Sequence, residues 1–369
     1  MHELGLRKQG PWRRWSGRAV LGLLAVAGLA SLVTLAETNV WWVRYLDFVR
    51  LQLVIAMLLM LAALAALRPR LGALGMAALL LGLGGLAYHL YRVHPYLPVF
   101  ARQVPATDAC EPPARLRIMV ANVQRDNQLA QAFIQLVARV RPDVLVVMET
   151  DPWWDEHLVA LRSDFSQVVQ AIPGRDSFYG MHVFSRYELV SPEFKYLFGA
   201  DTPMLSSGLR LPDGRLVRLH ALHPRPPQAW SQPTTARDGQ LMHVALQARG
   251  ENDPVIVAGD FNAVPWERVV RRAMRVGELL DPRLGRGVLP TYKVGSLLQS
   301  WPLDQILFSR RFALLDWGRL PAFGSDHYAV SAQLCLLPQS AAHPEAPALH
   351  AGDLDEAKTA IEAAAALDE

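Results

Sequence analysis

Several apolar runs in this chain end in side chains that can bind metal or move protons. Arg117-Ile118-Met119-Val120-Ala121 runs into Asn122, and Val144-Leu145-Val146-Val147-Met148 runs into Glu149. Val255-Ile256-Val257-Ala258-Gly259 leads to Asp260-Phe261-Asn262, and Gly324-Ser325-Asp326-His327 opens a last apolar run. A strand end is rigid and reachable from solvent, which suits it to hold catalytic groups. Hard divalent cations take oxygen ligands, and magnesium usually takes one or two carboxylates together with water and substrate phosphate. Glu149, helped by Asn122 and one of the later aspartates, meets that demand. His223 and His327 are the candidates for acid–base or charge-stabilising work beside it. Singly each signal is ordinary, since an Asn or Glu after a strand commonly turns or caps the chain and Asp260-Phe261-Asn262 can be an Asx-turn. Their order and spacing carry more than any one of them.

The elements that must position these residues are short β-rich runs at 116–121, 144–148, 181–184, 217–221, 255–258, 305–308 and 329–334, separated by helical or irregular segments. Leu129, Phe133, Leu136, Val137 and Val140 have the apolar spacing of a helix over 128–140. Such alternation predicts a mixed α/β domain, with helices covering packed sheets, over 115–337. Residues 92–114 read as a linker, because Pro95, Pro98, Pro105, Pro112 and Pro113 cannot sit in a helix or a central strand. Residues 338–369 are Ala-rich and acidic, with Lys358 as the only lysine or arginine, and are expected to be a loose helix or disordered.

The chain has 369 residues and a hydrophobic fraction of 51%, high for a soluble enzyme. The excess falls in three uncharged apolar stretches, 19–36, 51–67 and 71–91. Each is close to the roughly 20 residues that a helix needs to cross a bilayer. For the first stretch a signal peptide ending at Ala36 is the alternative, since a basic leader (1–18) precedes it, but two further spans follow in either case. Arg7, Lys8, Arg13, Arg14 and Arg18 precede the first stretch and Arg68-Pro69-Arg70 joins the second to the third, whereas Glu37, Asp47, Arg44 and Arg50 balance between the first and second. Positive flanks stay in the cytoplasm, so a multi-pass anchor over 19–91 delivers the remainder to the outer face, the periplasm of a bacterium with two membranes. The net charge of +3 is skewed by that leader and gives no argument for nucleic acid. Two cysteines exclude a disulfide scaffold or a zinc cluster. Cys110 and Cys335 flank the first and last expected strands, and either a bridge or two unlinked thiols fits an oxidising compartment.

Together these motifs resemble the endonuclease/exonuclease/phosphatase (DNase I-like) superfamily over about 116–336, as a membrane-anchored bacterial branch. The resemblance rests on the Asn122 strand, "PDVLVVMET", "GMHVFSR", "LHALHPRPP", "VIVAGDFNAVP", "PLDQILFS" and "GSDHYAV", the last three in that order being the most specific. It implies a four-layer α/β/β/α sandwich, here preceded by three transmembrane helices, and a Mg2+ or Mn2+ cofactor. It also implies roles. Glu149 is the main metal ligand, supported by Asn122, with Asp326 near the metal. Asp260 and Asn262 orient or deprotonate the attacking water and contact the scissile phosphate. His327 sits on the phosphate with Asp304 fixing its tautomer, and His223 binds phosphate and protonates the leaving oxygen. His220 is expected to be structural, and Gly180, Ser185 and Arg186 to shape the fold. Arg237 and Thr291 also match family positions, with no chemistry assigned. No counterpart is evident of the phosphate-contacting tyrosine of exonuclease III-type enzymes.

The implied activity is metal-dependent hydrolysis of phosphate esters by in-line water attack, as a phosphodiesterase on nucleic acid (a nuclease) or on a phospholipid or phosphorylated head group. The alternative is an inactive, membrane-held binding or sensing module of the same fold. Arg225, Arg237, Arg268, Arg271 and Arg272 are available to a polyanion, although a helix carrying the last three can equally be a solvated face. No protein partner is expected.

Overall fold

A computed structural model describes residues 11–172, 174, 178–199, 201–227 and 233–367. Arg7 and Lys8 of the basic leader lie outside them. The chain divides after Pro95 into two compact units.

The first unit contains α1 (Pro11–Val33), α2 (Trp41–Phe48), α3 (Arg50–Leu67) and α4 (Ala73–Val93). Three helices, Pro11–Val33, Arg50–Leu67 and Ala73–Tyr96, are long and apolar enough to cross a membrane. They correspond to the three expected stretches, but the first starts earlier, so Arg13, Arg14 and Arg18 lie on its opening turns. The short α2 was not expected. Glycines let α1 and α4 approach closely: a Cβ on Gly28 would lie 2.6 Å from the Leu81 carbonyl oxygen, and one on Gly85 2.9 Å from the Gly28 Cα. Buried charge in this unit is paired. Arg50 donates to Asp47 and approaches His89 Nδ1 at 2.9 Å, and Ser31 Oγ lies 2.7 Å from His89 Nε2.

The second unit opens with β1 (Arg115–Asn122), α5 (Ala130–Val140), β2 (Val144–Met148), α6 (Pro152–Leu158), β3 (Gln167–Ala171) and β4 (Met181–Ser185). There follow β5 (Glu188–Lys195), β6 (Met204–Arg210), β7 (Leu216–Leu222), α7 (Thr235–Gly250), β8 (Val255–Asp260) and α8 (Arg268–Val276). It closes with β9 (Leu279–Leu280), β10 (Asp304–Ser309), β11 (Phe312–Arg319), β12 (Val330–Leu336) and α9 (Asp353–Ala365). The strands form two six-stranded sheets, β11-β12-β1-β2-β4-β3 and β5-β6-β7-β8-β10-β9. Alternate residues of the central strands point to opposite faces. Ile118, Val120, Val144 and Val146 therefore meet Leu219, Ala221, Ile256 and Ile306 between the sheets. Met119, Leu145 and Val147 pack outward against Phe133 and Leu136 of α5 and Trp154 of α6. On the other side Val255, Val257 and Leu307 pack against Leu241 and Val244 of α7 and Val270 and Ala273 of α8. The result is the expected α/β/β/α order of four layers.

Two segments differ from their sequence-based reading, and a third point that it left open is decided. The segment expected to be a linker packs against the second unit: Val104 is buried, its carbonyl accepts from Arg286 Nη2 at 2.7 Å, and Ala106 bridges Leu314. In the tail a helix forms, α9, as one of the two expected alternatives, but it is packed rather than loose, because α7 and α8 give it a surface that fits. Its Ala364 lies so close to α7 that a Cβ on Gly239 would come within 2.3 Å of the Ala364 Cβ, and Ala357 is buried. Asp353 of α9 accepts from Arg275 Nε at 2.6 Å and Arg272 Nε at 3.3 Å. Those bonds, with Arg275 first, hold its carboxyl well below the usual carboxylate range. Finally, Cys110 and Cys335 are joined in a disulfide with their Cα atoms 5.8 Å apart, tying the segment before β1 to β12.

Candidate active site

β1 and β2 run parallel, so Asn122 stands level with Met148 and just beside Glu149 at one edge of the first sheet. β7 and β8 are also parallel and pair Leu222 with Gly259, which sets His223 next to Asp260 at the corresponding edge of the second sheet. β10 is antiparallel to β8 and places Asp304 directly opposite Asp260. The sheets touch at this edge, where the Asp260 backbone N–H donates to Met148 Sδ at 3.0 Å. Within each sheet, a glycine permits close approach of neighbouring strands at this edge. A Cβ on Gly259, whose φ is +149°, would fall 1.9 Å from the Leu222 carbonyl oxygen, and one on Gly180 would fall 1.6 Å from that of Thr150.

Side chains from both sheets meet at the Asp260 carboxylate, which is only 1% exposed. Asn122 Nδ2 donates to Glu149 Oε1 at 2.7 Å and to Asp260 Oδ2 at 3.2 Å. The same Asp260 oxygen lies 3.8 Å from His223 Nε2 and 3.8 Å from His327 Nε2. That distance is an ion-pair contact and too long for a hydrogen bond, so both Nε2 atoms remain available to another acceptor. His327 Nδ1 lies 2.8 Å from Asp304 Oδ2. Burial disfavours the His327 charge, but the carboxylates of Asp304, Asp260 and Glu149 outweigh it and push the imidazole up to about 10. Asp304, desolvated by burial, is pushed upward from the carboxylate range even though His327 pulls it down. The pair therefore holds a proton between Nδ1 and the carboxylate at neutral pH.

The surrounding residues fix this geometry. Thr291 Oγ1 accepts from the backbone N–H groups of Leu303 and Asp304 at 3.0 and 3.1 Å, anchoring the start of β10. Arg237, buried, donates Nη1 to the Asn262 carbonyl at 2.8 Å and Nη2 to Glu267 at 2.5 Å. Asn262, at φ +47°, donates Nδ2 to the Pro224 carbonyl at 2.9 Å and its backbone N–H to Asp260 Oδ1. Asp260 and Asn262 thus form the anticipated Asx-type turn and also reach the site. Glu149 sits at φ +59°, and the next residue, Thr150, shares a buried contact with His182 Nδ1 at 2.9 Å whose Nε2 lies 3.0 Å from Asp155. Ser325 Oγ donates to the Asn122 carbonyl at 2.8 Å and accepts from the His327 N–H at 3.0 Å, coupling the last loop to β1.

Of the expected residues, Asn122, Glu149, His223, Asp260, Asp304 and His327 come together, and Asn262 adjoins them. The half-buried Asp326 is different: among the described residues no hydrogen bond or ion pair is made by its carboxylate, and only its backbone N–H donates to Gln124 Oε1 at 3.0 Å. His220 is structural, as expected. It is buried on β7, 2.8 Å from Ser206 Oγ, and desolvation lowers it to about 4. Sequence reasoning missed two aromatic neighbours, Tyr179, 5.3 Å from the His223 ring, and Tyr292, 4.8 Å from the His327 ring. Their positions directly before Gly180 and after Thr291 were the available signal. Arg225 approaches the site as well, over the Tyr179 ring at 5.7 Å while paired with Asp201. Arg272, by contrast, is committed to Asp353 and Glu356 of α9.

The donor set fits a hard divalent cation, since the carboxylates of Glu149 and Asp260 meet on either side of Asn122 Nδ2 and Asp304 Oδ1 is buried with no hydrogen-bond partner. Asp260, Asp304 and His327 also bring one ligand atom each within 4.8 Å of one another.

A family model described as the endonuclease/exonuclease/phosphatase family matches residues 119–327. Among solved structures the chain is similar to an endonuclease/exonuclease/phosphatase from Beutenbergia cavernae DSM 12333, with 19% identity and a TM-score of 0.52 over 62% of this chain and 74% of that one. It is similar to a family protein from Bacteroides thetaiotaomicron, with 18% identity and a TM-score of 0.50 over 63% and 98%. D. rerio TDP2 complexed with single strand DNA product gives 18% identity and a TM-score of 0.50 over 60% and 99%. At these identities the likeness concerns the fold. No curated protein matches the chain. The family match runs from within β1 to His327, across more than half of the chain and all of the clustered side chains, and the chain belongs to the endonuclease/exonuclease/phosphatase family.

Proposed function

We propose that this protein is a Mg2+- or Mn2+-dependent hydrolase of phosphate esters, acting as a phosphodiesterase on nucleic acid or on a phosphorylated lipid head group. The observation that carries the proposal is the convergence of Asn122, His223 and His327 on one buried oxygen of Asp260, with Glu149 beside them. Glu149, with Asn122 and Asp326 supporting it, would hold a divalent cation, and that cation would offset the negative charge growing on the phosphoryl oxygens. Asp260 and Asn262 orient the water and Asp260 accepts its proton. His327, with Nδ1 engaged by Asp304, points Nε2–H at a phosphoryl oxygen, and His223 donates toward the leaving oxygen. In-line displacement needs no covalent intermediate.

A substrate panel tests the reading. Purified protein is expected to hydrolyse bis-p-nitrophenyl phosphate with magnesium or manganese and to stop in EDTA. Plasmid DNA, sphingomyelin, phosphatidylinositol phosphates and phosphomonoesters then separate the substrate classes. Nucleic acid belongs in the panel because D. rerio TDP2 was solved with single strand DNA product. Phe178, exposed and capped by Arg125 at 3.7 Å, gives a base a surface to stack on. Inactivity across the panel would favour a membrane-held binding module.

The pH profile provides a second check. A proton held on His327 up to about 10 is present through neutrality and is lost on the alkaline side. A bound cation repels that charge and draws the limb down, yet the limb should stay above the ordinary histidine value near 6.5. Asp304→Asn removes the largest attraction and is expected to move the alkaline limb of kcat/KM toward acid by about one unit or more. An unmoved limb would show that His327 does not carry the essential proton.

We further propose that the three apolar helices form a multi-pass anchor in a bacterial inner membrane, with residues 115–337 on the periplasmic face. Arg13, Arg14, Arg18, Arg68 and Arg70 gather at the end that this topology leaves in the cytoplasm. An alkaline-phosphatase fusion after Arg115 is expected to be active. Activity of a cytoplasmic reporter there, with an inactive phosphatase, would reverse the orientation.

A further inference from the structure

At the basic end of the first unit, Arg14, Arg18, Leu21, Pro69 and Arg70 line a cavity of about 230 Å³. Its walls come from the opening turns of α1 and from the turn between α3 and α4. These two pieces of chain are held together at Gly17, where an added Cβ would lie 2.9 Å from the Pro69 Cβ. The cavity is thus built by close packing of glycine on proline, and the arginines project around it from both sides. Among the described residues, no carboxylate pairs with Arg14, Arg18 or Arg70, and the described acids of this unit, Glu37 and Asp47, lie beyond the far end of α1. The buried Arg50 at that far end is paired with Asp47.

The surroundings suit a lipid. Trp12 and Trp15 are 75% and 69% exposed, and Arg18 lies over the Trp15 ring at 5.7 Å. Exposed indoles beside cations mark the head-group level of a bilayer. Below them Leu23, Val26 and Leu29 of α1 and Leu74 of α4 are exposed and apolar, a wall along which acyl chains can run. Guanidinium groups engage phosphate bidentately, and basic pockets between spanning helices on the cytoplasmic side bind anionic head groups.

We propose that this cavity binds the phosphate of an anionic phospholipid, such as phosphatidylglycerol or cardiolipin. The proposal rests on the three helices spanning a membrane, but not on the hydrolytic reading or on which face carries the second unit.

The test uses the full chain purified in a zwitterionic detergent. Thermal unfolding is followed with added cardiolipin, phosphatidylglycerol, phosphatidylethanolamine or inorganic phosphate, and lipid retention is read by native mass spectrometry. Cardiolipin and phosphatidylglycerol are expected to raise the midpoint and to be retained, whereas phosphatidylethanolamine and phosphate do neither. Arg14→Gln/Arg18→Gln/Arg70→Gln should keep the lipid-free midpoint and weaken retention by at least tenfold, while Arg13→Gln, outside the cavity, should bind as the parent does. Should the triple variant fail to fold, Arg70→Gln alone and Gly17→Leu, which forces the walls apart, are expected to weaken retention. Equal retention of phosphatidylethanolamine, a response to inorganic phosphate matching that to lipid, or undiminished cardiolipin binding in the arginine variants would overturn the proposal.

Discussion

Asp260→Ala and His327→Ala are each expected to lower the hydrolysis of bis-p-nitrophenyl phosphate by roughly 10²–10⁴-fold, the usual range for loss of an acid–base group. The reason is geometric. One oxygen of Asp260 accepts from Asn122 Nδ2 at 3.2 Å and faces both histidine Nε2 atoms at 3.8 Å. Removing it takes away the water's proton acceptor and the charge that orients both imidazoles. His327→Ala removes the donor that Asp304 holds in place at 2.8 Å. Because the two residues act on one centre, the double variant should lose little more than the worse single one. Near-additive losses would mean that they serve separate steps. Circular dichroism and thermal unfolding must show folded proteins, since Asp260 and His327 are buried. Full activity in both single variants would remove the catalytic assignment.

Glu149→Gln carries the second large effect. A cation that offsets phosphoryl charge contributes several kcal/mol to transition-state stabilisation, so losing its main carboxylate should cost about 10³-fold or more in kcat/KM. The substitution preserves shape. It leaves the amide of Asn122 without an anionic partner on that side, where Nδ2 now donates to Glu149 Oε1 at 2.7 Å. The concentration of magnesium that gives half-maximal activity is expected to rise more than tenfold, and isothermal titration should show the same weakening with no substrate present. Unchanged magnesium affinity would transfer the cation to the Asp260, Asp304 and His327 grouping, whose ligand atoms also lie within 4.8 Å of one another. The His182 contacts to Thr150 and Asp155 hold the peptide after Glu149, so the variant changes the ligand without releasing its strand end.

The amino-acid sequence by itself determined the apolar runs, their polar ends and the three long apolar helices, because side-chain periodicity and length are local properties of a chain. It therefore supplied Asn122, Glu149, His223, Asp260, Asn262, Asp326 and His327 as candidates, most of them as the residue that ends or follows a strand, and the family resemblance added Asp304. Tertiary structure alone decided which of them meet. The parallel register of β1 with β2 and of β7 with β8, and the antiparallel register that sets Asp304 opposite Asp260, are long-range choices. Only those registers make Asp260 the shared neighbour of two histidines. The same holds for the tail. Its acidic, alanine-rich composition reads locally as a weakly held segment, yet Gly239 on α7 and Arg272 and Arg275 on α8 give it a close-fitting and oppositely charged seat. That seat occupies Arg272, which the sequence alone had offered to a polyanion. Charge and hydropathy can be read along a chain, but a partner's identity depends on residues far away in sequence, and packing of the two sheets and their covering helices is what brings those residues within a few ångströms.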